Sequence, residues 1–298
     1  MRFSYHTHSD FCDGRASAAL MARAAFDQGY SFLGFSSHAP LPFAAHCQVP
    51  WASLAAYAST VRGLREAWAP RGMAILLGLE IDSLGDAAPG GGAFTWPGYS
   101  GYSSIRPDFR IGSVHYVQLG DTERFTVDES ASDFARHVER CAGGKPELVF
   151  KAYYHNLCAM LQHGGFDILG HFDLVRKNND GNRWFDEDSP VYLAAALQAV
   201  DLAAELGAVV EINPGGVLRK KTKAIYPSLP LLKYMRGKGI RLTFGDDAHA
   251  PQHLGPGQVL AAAHAAAAGY RSVWFLDEKL QWQELDIALA GIARSPSP

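Results

Sequence analysis

Short apolar runs alternate along this chain with longer stretches whose apolar residues recur every three or four positions. The short runs predict strands at residues 2–5, 32–35, 75–79, 109–114, 167–169, 209–212 and 241–244, with 272–275 as a late eighth. Helical periods fall between them. Residues 16–28 stop at Gly29, 53–68 start on Ser53 as a cap, and 133–141 end at Gly143-Gly144. Residues 190–206 follow Ser189 and close on Gly207, and 229–236 close on Gly237. Strands alternating with helices imply βαβ units and a mainly parallel sheet, an α/β fold.

The residues at the C-terminal end of each strand are more telling. The first strand runs into His6 and His8, the second ends at His38, the third at Glu80 and the fourth at His115. The fifth leads to His171, the sixth contains Glu211 before Asn213, and the seventh gives Asp247 and His249. In a parallel barrel the C-terminal strand ends converge on one face, so these distant residues become neighbours.

Composition narrows the class. The chain has 298 residues, 48% hydrophobic, enough for a sizeable core, which excludes a disordered chain. That length suits one α/β barrel domain spanning 1–298, interrupted by a loop insertion at about 85–104 rich in glycine and aromatics. The insertion leaves the ligand-bearing face and reads equally as a lid or as a surface elaboration. A net charge of −3 argues against a duplex-binding protein. Cys12, Cys47, Cys141 and Cys158 form no C-x-x-C pair, pointing to free thiols in a reducing compartment. The opening Met1-Arg2-Phe3-Ser4-Tyr5-His6 has no apolar signal region, and no run is long enough to span a bilayer. The expected setting is cytoplasmic, without nucleic acid or membrane; the oligomeric state is left open.

His6-Thr7-His8 at a strand end aims both imidazoles into one cavity, because residues two apart on a strand point the same way. Alone this is a weak motif. Joined by Glu80, His115, His171, Asp247 and His249, it predicts a metal centre for Zn, Fe or Mn. More ligands are present than one ion uses, and Glu80 or Asp247 is suited to bridging two ions, the arrangement that clamps attacking and leaving oxygens in phosphoryl displacement.

The order His6-Thr7-His8, Ser37-His38-Ala39-Pro40, Gly78-Leu79-Glu80, Gly112-Ser113-Val114-His115, Gly170-His171-Phe172-Asp173, Glu211-Ile212-Asn213 and Gly245-Asp246-Asp247-Ala248-His249 resembles the PHP (polymerase and histidinol phosphatase) superfamily. The stretches 111–116 and 218–227 resemble its histidinol-phosphate phosphatases more closely. The resemblance spans roughly residues 1–275. It implies a distorted (β/α)7 barrel, TIM-like, with two to three divalent ions at the C-terminal strand ends, and hydrolysis of L-histidinol phosphate. By resemblance, one ion takes His6, His8, Glu80 and Asp247; a second shares Glu80 and adds His115 and His171. A third takes a residue after the H-x-H together with His38 and His249. The chain departs from the family there: Cys12-Asp13-Gly14 stands where many relatives carry histidine, and Ser36-Ser37-His38 replaces Thr-Asp-His. Asp13 reads as a ligand or, equally, as a capping or turn residue.

No nucleophile elbow or Cys-x5-Arg loop is present, so the ions and their water carry the chemistry. His249 and Asp13 are the candidates for the acid that protonates the leaving alkoxide. For the phosphate of a small ester substrate, Arg219 is the first candidate, Lys223 the second and Lys177 a weaker third. A solvated basic turn is the plain alternative for 219–223. His46 and His253 are marginal, and Trp51, Trp68, Trp274 and Trp282 read as core. Competing readings are a phosphoesterase acting on another small phosphomonoester, an amidohydrolase-type C–N hydrolase, and a non-catalytic metal-binding module. The amidohydrolases usually carry a modified lysine at strand four, where this chain has His115.

Overall fold

The computed structural model describes residues 1–85 and 98–292. Seven parallel strands pair in chain order: β1 (Arg2–Ser4), β2 (Tyr30–Phe35), β3 (Ala74–Asp82), β4 (Phe109–Ser113), β7 (Ile168–Leu169), β8 (Val209–Ile212) and β9 (Arg241–Phe244). Between β4 and β7 lies a small antiparallel hairpin, β5 (Tyr116–Val117) and β6 (Phe125–Thr126). Parallel neighbours need a crossover, and helices supply it. In order these are α1 (Ala18–Asp27), α2 (Leu54–Trp68), α3 (Ala131–Ala142), α4 (Pro146–His163), α5 (Pro190–Glu205), α6 (Gly215–Leu218), α7 (Leu229–Gly237) and α8 (Pro256–Ala267). Just beyond β1 and β9 the chain ends meet: Thr7 bridges Ala248 in parallel, and the His8 amide donates to the Ala248 carbonyl at 2.9 Å. That bridge nearly closes a distorted (β/α)7 barrel.

The predicted barrel strands fall within a few residues of the observed ones, because strands buried on both faces are continuous apolar runs. All of β3 beyond Ala74 is buried. Room inside comes from two glycines. The Phe109 ring lies where Cβ atoms on Gly34 and Gly78 would stand, 2.6 and 2.3 Å from its Cζ, with Tyr5 edge-on at 5.7 Å.

The late eighth strand is present and lies outside the barrel: β10 (Ser272–Leu276) pairs antiparallel with β11 (Trp282–Asp286). Its Phe275 packs on Phe32 and Phe3 at 5.2 and 5.9 Å. Ser53 makes no side-chain cap, since a 3-10 turn at Trp51–Ser53 leads straight into α2. By contrast Ser17, Ser130 and Ser189 each accept a first-turn amide. Trp51 is 43% exposed rather than core, stacked on Tyr102 at 5.6 Å. The 85–104 insertion falls largely on 86–97, outside the described residues; Tyr102, just before its end, donates to the Pro40 carbonyl at 2.8 Å. Among the described residues no helix is long and apolar enough to cross a membrane.

Candidate metal centre

The strand ends deliver nine side chains to one cavity of about 250 Å³ and its floor. Glu80, on β3, sits at the centre and is 1% exposed. Its Oε2 lies 3.1 Å from His6 Nε2, 3.5 Å from His8 Nε2 and 3.1 Å from His38 Nδ1. Its Oε1 faces the other way, 2.8 Å from His171 Nε2 and 3.6 Å from His115 Nε2. One carboxylate is thus divided between two groups of imidazoles. Asp247 Oδ1 approaches His8 Nε2 at 3.4 Å and His6 Nε2 at 3.9 Å.

These residues fit metal ions. His6 Nε2, His8 Nε2 and His38 Nδ1 are buried yet have no hydrogen-bond partner, despite the nearby carboxylate. Buried polar atoms are normally satisfied, and three imidazole nitrogens that face one carboxylate without hydrogen-bond geometry leave a place for a cation. Four donor groups recur: His6, His8 and Asp247; His6, Glu80 and His171; His38, Glu80 and His115; and His8, Asp13, His38 and His249. Buried clusters of this chemistry hold divalent metal ions.

Outer partners fix the rings. His6 Nδ1 donates to Glu211, 2.9 Å from Oε2, while Glu211 Oε1 accepts the His171 amide at 2.9 Å and the Asn213 side chain at 2.8 Å. His115 Nδ1 donates to Asp82 Oδ1 at 2.8 Å. Each contact turns the ring's other nitrogen towards Glu80. Glu211 was legible only as a strand-end acid, and Asp82 was not singled out; its position two residues past Glu80 on the same strand face is the signal that finds it.

Electrostatics are strong. Burial disfavours a charged His6, yet Glu211, Glu80 and Asp247 raise its pKa well above the usual imidazole value. Burial likewise opposes charge on His115, but Asp82 and Glu80 push it up to about 10. His8 goes the other way, down to about 3, through burial and then the charge of His249. Asp13 resists burial and is held far below the carboxylate range by His249, His8 and His38.

Asp13 caps nothing, since the α1 N-cap is Ser17. It sits on a tight turn in which the Gly14 amide donates to Ser9 at 3.0 Å and a Cβ on Gly14 would lie 2.5 Å from Ser9 N. There its Oδ2 is 3.1 Å from His249 Nε2 and its Oδ1 3.6 Å from His8 Nδ1. Arg219 lines the cavity and also clamps the floor: its guanidinium donates to Asp247 Oδ2 at 2.8 Å, to the Asp247 carbonyl, and to His249 Nδ1 at 3.0 Å. Lys177 lines the cavity as well. Lys223 does not and is corrected: it is exposed, its amide lies against Asp180, and Lys221 lines the cavity instead. Lys221 is exposed as well, but it stands at the cavity wall. His46 is exposed, whereas the His253 ring accepts the His249 amide at 3.3 Å.

Comparison with known proteins accords with this geometry. A protein of Deinococcus radiodurans named "Probable histidinol-phosphatase" is 30% identical over 290 residues, covering 93% of this chain and 97% of its own. A crystal structure from Listeria monocytogenes, of a protein provisionally named histidinol phosphatase, superposes with a TM-score of 0.75 at 20% identity, covering 86% of this chain and 98% of that one. The Lactococcus lactis histidinol phosphate phosphatase, solved with zinc, L-histidinol and phosphate, superposes with a TM-score of 0.62 at 18% identity, covering 91% and 95%. The PHP domain model matches residues 4–215, the stretch that carries His6, His8, Asp13, His38, Glu80, His115, His171 and Glu211. The chain belongs to the PHP family.

Proposed function

We propose that this chain is a metal-dependent phosphatase that hydrolyses L-histidinol phosphate to L-histidinol and phosphate, a step of histidine biosynthesis. The observation that carries the reading is the split of Glu80 between His6, His8 and His38 on one oxygen and His171 and His115 on the other. A carboxylate so placed would contribute to holding more than one ion. The names of the relatives, and the ligands of the Lactococcus lactis structure, support the substrate.

Two ions are assigned to His6, His8, Glu80 and Asp247, and to Glu80, His115 and His171. A third set consists of Asp13, His38 and His249, with His8 beside them. Zn, Fe and Mn all suit imidazole and carboxylate. When bound, such ions supply an activated water and Lewis-acid stabilisation of the phosphoryl oxygens. The protein's own groups do the rest. Glu211 and Asp82 hold the His6 and His115 rings in one tautomer. Arg219, Lys221 and Lys177 place fixed positive charge along the wall for the phosphate. His249 and Asp13 form the pair nearest solvent, with side chains 15% and 34% exposed; His249 passes a proton to the departing alkoxide while the ionised Asp13 orients its ring. An ion and a proton exclude each other on His249 Nε2, so this role belongs to the enzyme with its third position free. Free thiols and a small metabolite substrate support a cytoplasmic setting.

The test is phosphate release from L-histidinol phosphate and a panel of other monoesters, with Zn, Mn or Fe and with a chelator. A chelator-sensitive kcat/KM for histidinol phosphate far above the panel supports the reading. Preference for another ester removes the substrate, and no turnover with any metal removes the activity.

A further inference from the structure

Six carboxylates line the cavity, and five of them are committed. Glu80, Asp13 and Asp247 face the imidazole cluster, Asp82 holds His115, and Glu129 pairs with His137 outside the cavity. Asp128 is different. Among the described residues its ion-pair partner is Lys177, 3.5 Å from its Oδ2, and Lys177 itself lines the cavity. No imidazole of the cluster pairs with it.

The segment bearing Asp128 is fixed from both sides. The Val127 amide donates to the His115 carbonyl at 2.8 Å, tying the turn after the β5–β6 hairpin to a ligand-bearing strand end. The Asn178 side chain donates to the Glu129 carbonyl at 3.2 Å, pinning the far side to the loop after β7. Asp128 therefore stands at the cavity wall, its side chain 35% exposed and within reach of a ligand. Burial opposes its ionisation, but Lys177 and then the rings of His115, His171 and His38 hold it below the usual carboxylate range. It is an anion at neutral pH.

The proposed substrate is a zwitterion: a phosphate dianion with a protonated amine on the second carbon from the ester oxygen. So short a spacer requires an anionic group inside the cavity, close to the phosphate site, once the phosphate sits among the ions, Arg219, Lys221 and Lys177. Resting on that substrate reading, we propose that Asp128 determines specificity by accepting the substrate ammonium, exchanging its contact with Lys177 for one with the amine while Lys177 turns to the phosphate. The cavity thereby selects amino-alcohol phosphates over neutral ones of equal length. Specificity of this kind is a difference between two affinities, and an anion in the cavity wall left without a cationic partner is what penalises the wrong ligand.

The experiment compares histidinol phosphate with its des-amino analogue, an imidazolyl-propyl phosphate, in the metal-loaded wild-type enzyme and in Asp128→Asn. The expected result is a wild-type preference for the amine substrate, falling at least tenfold in Asp128→Asn and chiefly through KM. Asp128→Glu restores part of it. Because the readout is a ratio, a general loss of activity or folded protein cancels. An unchanged ratio overturns the proposal. A wild-type enzyme that hydrolyses the panel but prefers neither imidazole ester overturns the substrate reading instead.

Discussion

Glu211 Oε2 lies 2.9 Å from His6 Nδ1, and this buried contact decides which nitrogen of His6 faces Glu80. The same carboxylate accepts the backbone amide of His171, so one residue of β8 orients donors from two other strand ends. Glu211→Gln puts an amide NH2 among these donors. The expected outcome is a ~10–100-fold loss of metal affinity with the fold retained. Metal titration against a competing chelator, alongside circular dichroism, checks it; unchanged affinity would remove Glu211 from the site.

Metal uptake follows pH in a definite direction. His6 and His115 have raised pKa values in the metal-free protein, so both rings carry a proton at neutral pH. An incoming ion must displace those protons. Raising the pH removes the competitor, and apparent affinity rises towards the raised pKa of His115, about 10. Measuring affinity and proton release at several pH values tests this. A flat profile would show that the two rings are neutral without metal.

Two glycines predict opposite effects on stability. At Gly78 a Cβ would stand 2.3 Å from the Phe109 ring, whereas at Gly63, in α2, nothing lies within 4 Å. Gly78→Ala is expected to destabilise by ~1–3 kcal/mol through overpacking. Gly63→Ala is expected to stabilise by up to about 1 kcal/mol through helix propensity. Thermal unfolding of the two variants gives the signs directly; equal shifts would mean that Phe109 moves aside without cost.

Much of this was legible in the sequence for a physical reason. Parallel barrel strands are short apolar runs, and the ligands lie just after them, so His6, His8, His38, Glu80, His115, His171, Asp247 and His249 could be grouped before any coordinates. Helix α4 was missed because its buried positions run almost all the way round, from Val149 and Phe150 through Tyr153, Tyr154 and Asn156 to Leu161, which blurs the one-face period. The strand at 272–276 looks like its barrel counterparts in composition; only its pairing partner distinguishes it. Lys221 and Lys223 could not be ranked without knowing where the turn after α6 places them. Asp82 and Asp128 act through neighbours distant in sequence, which periodicity does not report.

The central claim is that Glu80 would serve more than one of the ions on which catalysis depends. Ions per chain, measured by elemental analysis in wild type and Glu80→Ala, with phosphate release from histidinol phosphate on the same samples, test it most directly. The account predicts at least two ions in the wild type, a stoichiometry lower by one or more in the variant, and activity reduced by at least ~100-fold. A variant that keeps both the wild-type stoichiometry and its turnover would contradict it.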